Sequence, residues 1–231
     1  SYHFSYGTSF NTSGDSYQYD LPGSNTPPES SRNLELGAKV DLLRGRVSTR
    51  FAIFKTTKFN ERNRDSPNGT PSDDYLLSGR RHAAGIDMDV AGKIMPKWEV
   101  FGSYAWIPIA KIDAGNLDGT SLTGESVGER PSLTPRHSGT VWTTYQITEA
   151  FRVGAGVNFR SSQTPNRNPA GVVAPRWVTG DLLAEYAFND SVSLRLNVLN
   201  VADKFYADSL YTGHYVQGAA RSVQTTLTTR F

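Results

Sequence analysis

Two short stretches concentrate the residues that could do chemistry. Arg80, Arg81 and His82 stand side by side, and Tyr211, His214 and Tyr215 crowd a second stretch around Gly213. Guanidinium groups pair with anionic oxygens through a planar fork, and aromatic rings stack on planar partners. These types therefore suit binding contacts better than bond breaking. Arg62, Arg64, Tyr75, Arg130, Arg136, Arg176 and Trp177 add cations and rings in other polar stretches. Acid and base candidates are fewer: Asp87 with Asp89, and Asp208 with His214. A general acid or base must lie within hydrogen-bond reach of its partner or substrate. Asp87 and Asp89 fall close to a short turn at Pro96, while Asp208 and His214 share a loop with no fixed acidic neighbour. His3, His82, His137 and His214 have no metal-ligand spacing. The chain has no cysteine, hence no thiolate nucleophile or thiolate metal site. No enzyme, no cofactor and no resident metal are expected.

The elements that position these residues must be strands. With 231 residues the chain could form one large β domain or two smaller ones. A formal charge of +2 is close to balanced, so no nucleic-acid partner is expected. Hydrophobic content is 37% and mean hydropathy −0.45. A spanning helix needs about 18 consecutive apolar residues, and no such run occurs. A transmembrane β-barrel stays open, because its strands need only about 9–11 residues and alternate apolar with polar. The first residue is Ser1, without a methionine or a signal peptide, which reads as the inside of something longer or a processed product.

Residues 191–231 set the pattern. Val192, Leu194, Leu196 and Val198 alternate with Ser193, Arg195 and Asn197, and Val223, Thr225, Leu227, Thr229 and Phe231 alternate with Gln224, Thr226, Thr228 and Arg230. Successive strand side chains point to opposite faces, so each segment presents one apolar and one polar face. The same alternation predicts strands at 2–10, 32–43, 46–60, 76–94, 98–112, 136–147, 151–163 and 176–188. Gly45 is expected to supply the positive φ of the first hairpin, and Pro108 to break the ladder near the upper end of its strand. Short turns near Gly45, Pro96, Glu149 and Asp190 alternate with long polar loops rich in glycine. Short turns on one rim and long loops on the other is the layout of an antiparallel outer-membrane barrel, here of about ten strands, with short periplasmic turns and long extracellular loops. A soluble sandwich gives no reason for this order.

The run NVLNVADKFY at 197–206, followed by GHYVQGAARSVQTTLTTRF to Phe231, resembles the end of bacterial TonB-dependent siderophore receptors. Asn197, Asn200, Asp203, Lys204, Tyr206, Arg221 and Phe231 fill the family's closing pattern, N-x-x-N-L-x-D-K-x-Y and then an arginine-led last strand with a terminal aromatic. Residues 27–43, 85–106, 134–145 and 153–163 resemble the family too, especially its catecholate-type branch. Val201 stands where leucine is usual, and Gln217, Ala219 and Ala220 surround Gly218 where prolines are usual, which leaves the entry to the last strand less rigid.

The resemblance covers the chain but only about the C-terminal third of such a receptor, which implies that the plug domain, the TonB box and earlier strands lie elsewhere. It implies uptake of ferric siderophore energised through TonB, with the siderophore as transported ligand and the TonB complex reached through the plug. Outer-membrane lipid, lipopolysaccharide and the barrel-assembly machinery are the other implied partners, and Phe231 resembles the assembly signal. Ligand candidates at the extracellular rim are Arg80, Arg81, His82, Arg136, Trp177, Tyr211, His214 and Tyr215. Beside this stands a plainer reading, in which rim arginines meet lipopolysaccharide phosphates and rings form the interfacial girdle. Asn197, Asn200 and Asp203 are expected to satisfy backbone groups at a strand end. A passive ten-stranded barrel, closed by pairing 2–10 with 221–231, is the alternative architecture, and a protease of the omptin class a distant third.

Overall fold

Alternation fixes the architecture strand by strand. The computed structural model describes residues 1–11, 28–64, 75–115, 126–165, 171–211 and 213–230, with 62–64 and 75–78 as backbone only. Among the described residues the strands are β1 (Tyr2–Asn11), β2 (Glu29–Leu42), β3 (Val47–Arg64), β4 (Tyr75–Met95), β5 (Trp98–Ala114), β6 (His137–Gln146), β7 (Phe151–Arg160), β8 (Trp177–Ala187), β9 (Val192–Leu199), β10 (Ala207–Tyr211), β11 (His214–Gln217) and β12 (Ser222–Thr229). Ten of them form one sheet in the order β1-β2-β3-β4-β5-β6-β7-β8-β9-β12, and β10 pairs with β11 in a separate two-stranded sheet. Every pairing is antiparallel. Expected and observed strands agree in number and order for the large sheet. The hairpin β10–β11 lies where the sequence suggested only loop.

Local chemistry makes the short turns. Leu43, Arg44 and Gly45 all take positive φ (51°, 59° and 83°), so the first turn uses three left-handed residues where the sequence suggested one. Asn189 Oδ1 accepts the backbone N–H groups of Ser191 and Val192 at 2.9 Å, an Asx turn that reverses the chain between β8 and β9. Pro108 does not break β5. Between the partners Ala84↔Ile109 and Ile86↔Trp106 the register shifts, so a bulge absorbs the proline. The β5–β6 ladder ends at Trp106↔His137, and beyond it Pro108 needs no donor on that side.

Register places the faces. Phe4↔Leu36↔Ile53↔Ile86↔Trp106 run across β1 to β5 on one face. Leu182↔Val198↔Val223 continue that face through β8, β9 and β12. The opposite face carries cross-strand polar pairs: Arg50 with Asp89 at 2.9 Å, Thr140 with Asn158 at 2.8 Å, Asn158 with Asp181 at 2.9 Å, and Glu185 between Arg152 (2.6 Å) and Arg195 (3.0 Å). Such pairs are the unit of sheet stabilisation. Asp89 is thus held by an arginine, as befits a wall residue.

No conventional core exists among the described residues. Val47, Ala52, Ile112 and Leu210 are its buried hydrophobics, while Phe4 (70% exposed), Phe51 (42%) and Leu227 (63%) stand open on the apolar face. Each such side chain left in water forgoes about 1.5–3 kcal/mol of burial. A face of them is stable only against hydrocarbon. β1 and β12 lie at opposite ends of the sheet and do not pair, so the ten strands do not close on themselves.

Candidate functional site

β3, β4 and β5 have 18, 21 and 17 residues, well beyond the roughly 9–11 that cross a bilayer. Their surplus lies on the long-loop rim. There the segments 126–136, 161–165, 171–176 and 200–221 meet, and one side chain organises the last of them. Asn200, only 4% exposed and left-handed at φ 48°, donates through Nδ2 to the carbonyls of Lys204 and Ala219, both at 2.9 Å. Its Oδ1 accepts the Lys204 N–H at 2.9 Å, and its own N–H reaches Asp181 Oδ1 at 2.8 Å. Asp203, also left-handed at φ 51°, accepts the Arg221 N–H at 2.8 Å. Asparagine and aspartate tolerate that backbone conformation better than other non-glycine residues. The outgoing and returning limbs of 200–221 are thereby tied at their base. This is the structural role expected for Asn200 and Asp203.

Above that base the chain folds over the polar face. The Tyr206 ring lies on Trp177 with centroids 4.5 Å apart, and the Arg160 guanidinium sits over the Trp177 ring at 5.3 Å. Arg160 also donates to the Asp208 carbonyl at 2.8 Å, which holds β10 over the end of β7. The Gly218 N–H donates to the Tyr206 carbonyl at 2.9 Å. A Cβ at Gly218 would run into the Tyr206 ring, so glycine is required for this approach. Burial, and then the charges of Asp208 and Asp181, push the Tyr206 phenol above its ordinary range.

The hairpin presents rings in two pairs. Tyr211 and His214 stack with centroids 5.0 Å apart and planes 8° from parallel, and Phe205 meets Tyr215 edge to face at 6.1 Å. With Val172, Val173 and Pro175 they line a cavity of about 350 Å³. A second cavity of about 450 Å³ adjoins it, lined by Ser138, Arg160, Gln163 and Asp208, with Leu210 and Tyr211 common to both. Gln163 and Ala174 exchange backbone hydrogen bonds of 3.2 and 2.9 Å, which brings 161–165 against 171–176.

The residues singled out in sequence divide among separate places. Tyr211, His214 and Tyr215 do come together in the hairpin, and Trp177 lies beneath it against Tyr206. Arg80, Arg81 and His82 do not form one cluster. Neighbours along a strand face opposite ways. Arg80 and His82 turn to one carboxylate, Asp113 Oδ2, at 3.8 and 2.7 Å. His82 pairs with Thr57, two positions along the apolar face from Lys55 and Ala84, so this trio lies outside the wall. Arg81 faces the polar side and pairs with Glu61, which also meets Lys58 at 3.2 Å. Arg136 donates to the Pro108 carbonyl at 3.2 Å. Its neighbour Arg130 donates to the carbonyls of Ile107 (2.7 Å), Thr134 (2.8 Å) and Pro135 (3.2 Å). Burial and then the Arg136 charge lower the Arg130 pKa. Arg62, Arg64 and Tyr75 have no described side chains, and Phe231 lies outside the described residues.

Sequence reasoning passed over Arg160, Phe205 and Leu210. Tyr206 was visible as a motif position, and it is the ring on which the hairpin rests. No group of His, Asp or Glu among the described residues could hold a metal ion.

An antiparallel meander with an apolar outer face, a polar inner face and all long connections on one rim defines the wall of an outer-membrane β-barrel. Residues 1–201 match the family described as TonB dependent receptor-like, beta-barrel. The chain belongs to that family, and its place is the bacterial outer membrane. The probable TonB-dependent receptor BfrD of Bordetella pertussis is 30% identical over 208 residues, covering 86% of this chain and 26% of that protein. The probable TonB-dependent siderophore receptor PiuA of Acinetobacter baumannii is 29% identical over 195 residues, covering 83% of this chain and 25% of that protein. The crystal structure of PiuA superimposes on 98% of this chain and 33% of its own with a TM-score of 0.85 at 26% identity. The closed form of the ferric-catecholate import receptor Fiu from Escherichia coli K12 does so over 100% and 33%, with a TM-score of 0.81 at 25% identity. The chain thus spans about a quarter of the length of the curated relatives it matches.

Proposed function

We propose that this chain is the C-terminal part of the barrel of a receptor that imports ferric siderophores across the outer membrane, energised through TonB. The observation that carries this reading is the ten-strand meander itself, which follows the barrels of siderophore receptors along its whole length with every long connection on one rim. In this reading a plug and a TonB-contacting segment belong to the rest of the protein. The 231 residues contribute wall, part of the extracellular binding surface and, at Phe231, the signal for the barrel-assembly machinery.

The two faces divide the partners. The trio of Arg80, His82 and Asp113 stands outside the wall. His82 is 13 residues up β4 from Met95, roughly 40 Å along the strand, which at a tilt near 45° is about one bilayer thickness. That is the height of lipid headgroups, and the Arg80 guanidinium there suits lipopolysaccharide phosphates. Arg81, Arg160 and the hairpin lie on the inner side and are left for plug and cargo. The iron travels inside its chelator, so the protein needs no resident metal or cofactor. A passive closed barrel is disfavoured by the unpaired positions of β1 and β12.

The test is uptake of radioactive iron by the full-length receptor in iron-starved cells lacking their own siderophore receptors. Accumulation that a catecholate siderophore supports and that disappears when TonB is deleted is the expected result. Failure with every siderophore tried, together with ion conductance by the purified protein, overturns the reading.

A further inference from the structure

The two adjoining cavities at the hairpin differ in kind. Among the described residues the 350 Å³ cavity is lined by rings, valines and prolines, and no Lys, Arg, Asp or Glu lines it. The 450 Å³ cavity next to it contains Arg160, Gln163 and Asp208, and the Leu210–Tyr211 end of β10 forms the wall between them. Size and charge then decide what each can hold. A dry cavity of about 150 Å³ suffices for benzene, so 350 Å³ admits one substituted ring and not a metal complex carrying three. An anionic metal centre finds no guanidinium or ammonium group among the described lining residues, and moving a charge out of water without such a partner is strongly unfavourable. The parallel Tyr211–His214 pair and the edge-on Phe205–Tyr215 pair offer flat faces and ring edges, the arrangements aromatic groups prefer.

We infer that the hairpin cavity takes a single neutral aromatic ring of the cargo, while the anionic, metal-bearing part remains on the Arg160 side of the Leu210–Tyr211 wall. This rests on the siderophore reading and adds an orientation to it. β10–β11 grips the cargo by an arm, and the arrangement favours ligands with a free planar arm over wholly aliphatic chelators. Trp177 has no direct part: it supports Tyr206 from below. Tyr211 and Tyr215 act through their rings, so replacing them with phenylalanine preserves the grip.

The experiment uses the full-length receptor in detergent with benzene-1,2-diol as the ring probe and cyclohexane-1,2-diol as the non-planar control, read by saturation-transfer NMR. Three variants accompany the wild type: Tyr211→Ala with Tyr215→Ala, Tyr211→Phe with Tyr215→Phe, and Val173→Trp, which fills the cavity from an exposed loop position without touching the sheet. Expected are transfer to the aromatic diol alone, loss of at least fivefold in the alanine and tryptophan variants, and retention in the phenylalanine variant. Equal transfer to both diols, or undiminished transfer in the Val173→Trp variant, overturns the inference even where iron uptake is intact. A ring signal that behaves as expected in a receptor importing no ferric siderophore leaves the cavity standing, sinks the uptake reading and removes the siderophore as the source of the ring.

Discussion

Asn200 ties the two limbs of the 200–221 segment together at the long-loop rim. Its side chain satisfies three backbone groups on two separated stretches while almost wholly buried. Truncating it leaves those groups unpaired, at a cost of about 1–3 kcal/mol. Asn200→Ala is expected to lower the denaturant midpoint of the detergent-folded receptor accordingly. Asn200→Gly, which removes any φ penalty but not the lost bonds, should do nearly the same. Full stability in the glycine variant would mean that backbone conformation, not the side chain, is what asparagine supplies. Other residues were less legible in sequence. Arg80, Arg81 and His82 are adjacent on paper, but a strand sends Arg81 to Glu61 inside and its neighbours to Asp113 outside. Phe231, a motif position in sequence, lies outside the described residues.

At the scale of elements, the ten long strands could be read because lipid on one side and polar surroundings on the other impose alternation over many residues. The hairpin escaped for physical reasons. β10 has 5 residues and β11 has 4, too short to develop a period, and a register shift between Ala207 and Ser209 interrupts what period there is. Pro108 interrupts the ladders on both sides as its missing donor predicts, but a bulge lets β5 run on to Ala114, and bulges leave no composition signal. What seats the hairpin is the close approach of Gly218 to Tyr206. Gly218→Ala should push the hairpin off Trp177, seen as faster proteolytic cleavage within 205–217 with the barrel's heat-modifiable gel migration unchanged. Cleavage at the wild-type rate would show that the ring can move aside without cost.

For the whole molecule the decisive fact is that the sheet ends twice, at β1 and at β12. In hydrocarbon each unpaired backbone group costs several kcal/mol, so two bare edges cannot persist there. Refolded alone in detergent, the 231-residue chain is expected to self-associate through those edges and to form no stable ion-conducting channel. A monodisperse monomer with steady conductance would mean that β1 and β12 meet after all. The sequence left this point open because pairing between strands far apart in the chain is set by the tertiary fold, which no local alternation records.

The bonds at Asn200 and Asp203 have an evolutionary corollary. Because the two limbs of 200–221 are joined at their root, everything beyond Lys204 and before Ala219 hangs from the wall by a closed neck. Lengthening a loop whose ends are already held together adds little closure entropy, about 0.6 kcal/mol per doubling. The stretch is therefore an interchangeable cassette. Exchanging it would remodel the surface of the long-loop rim while the strand pairing of the wall stays as it is.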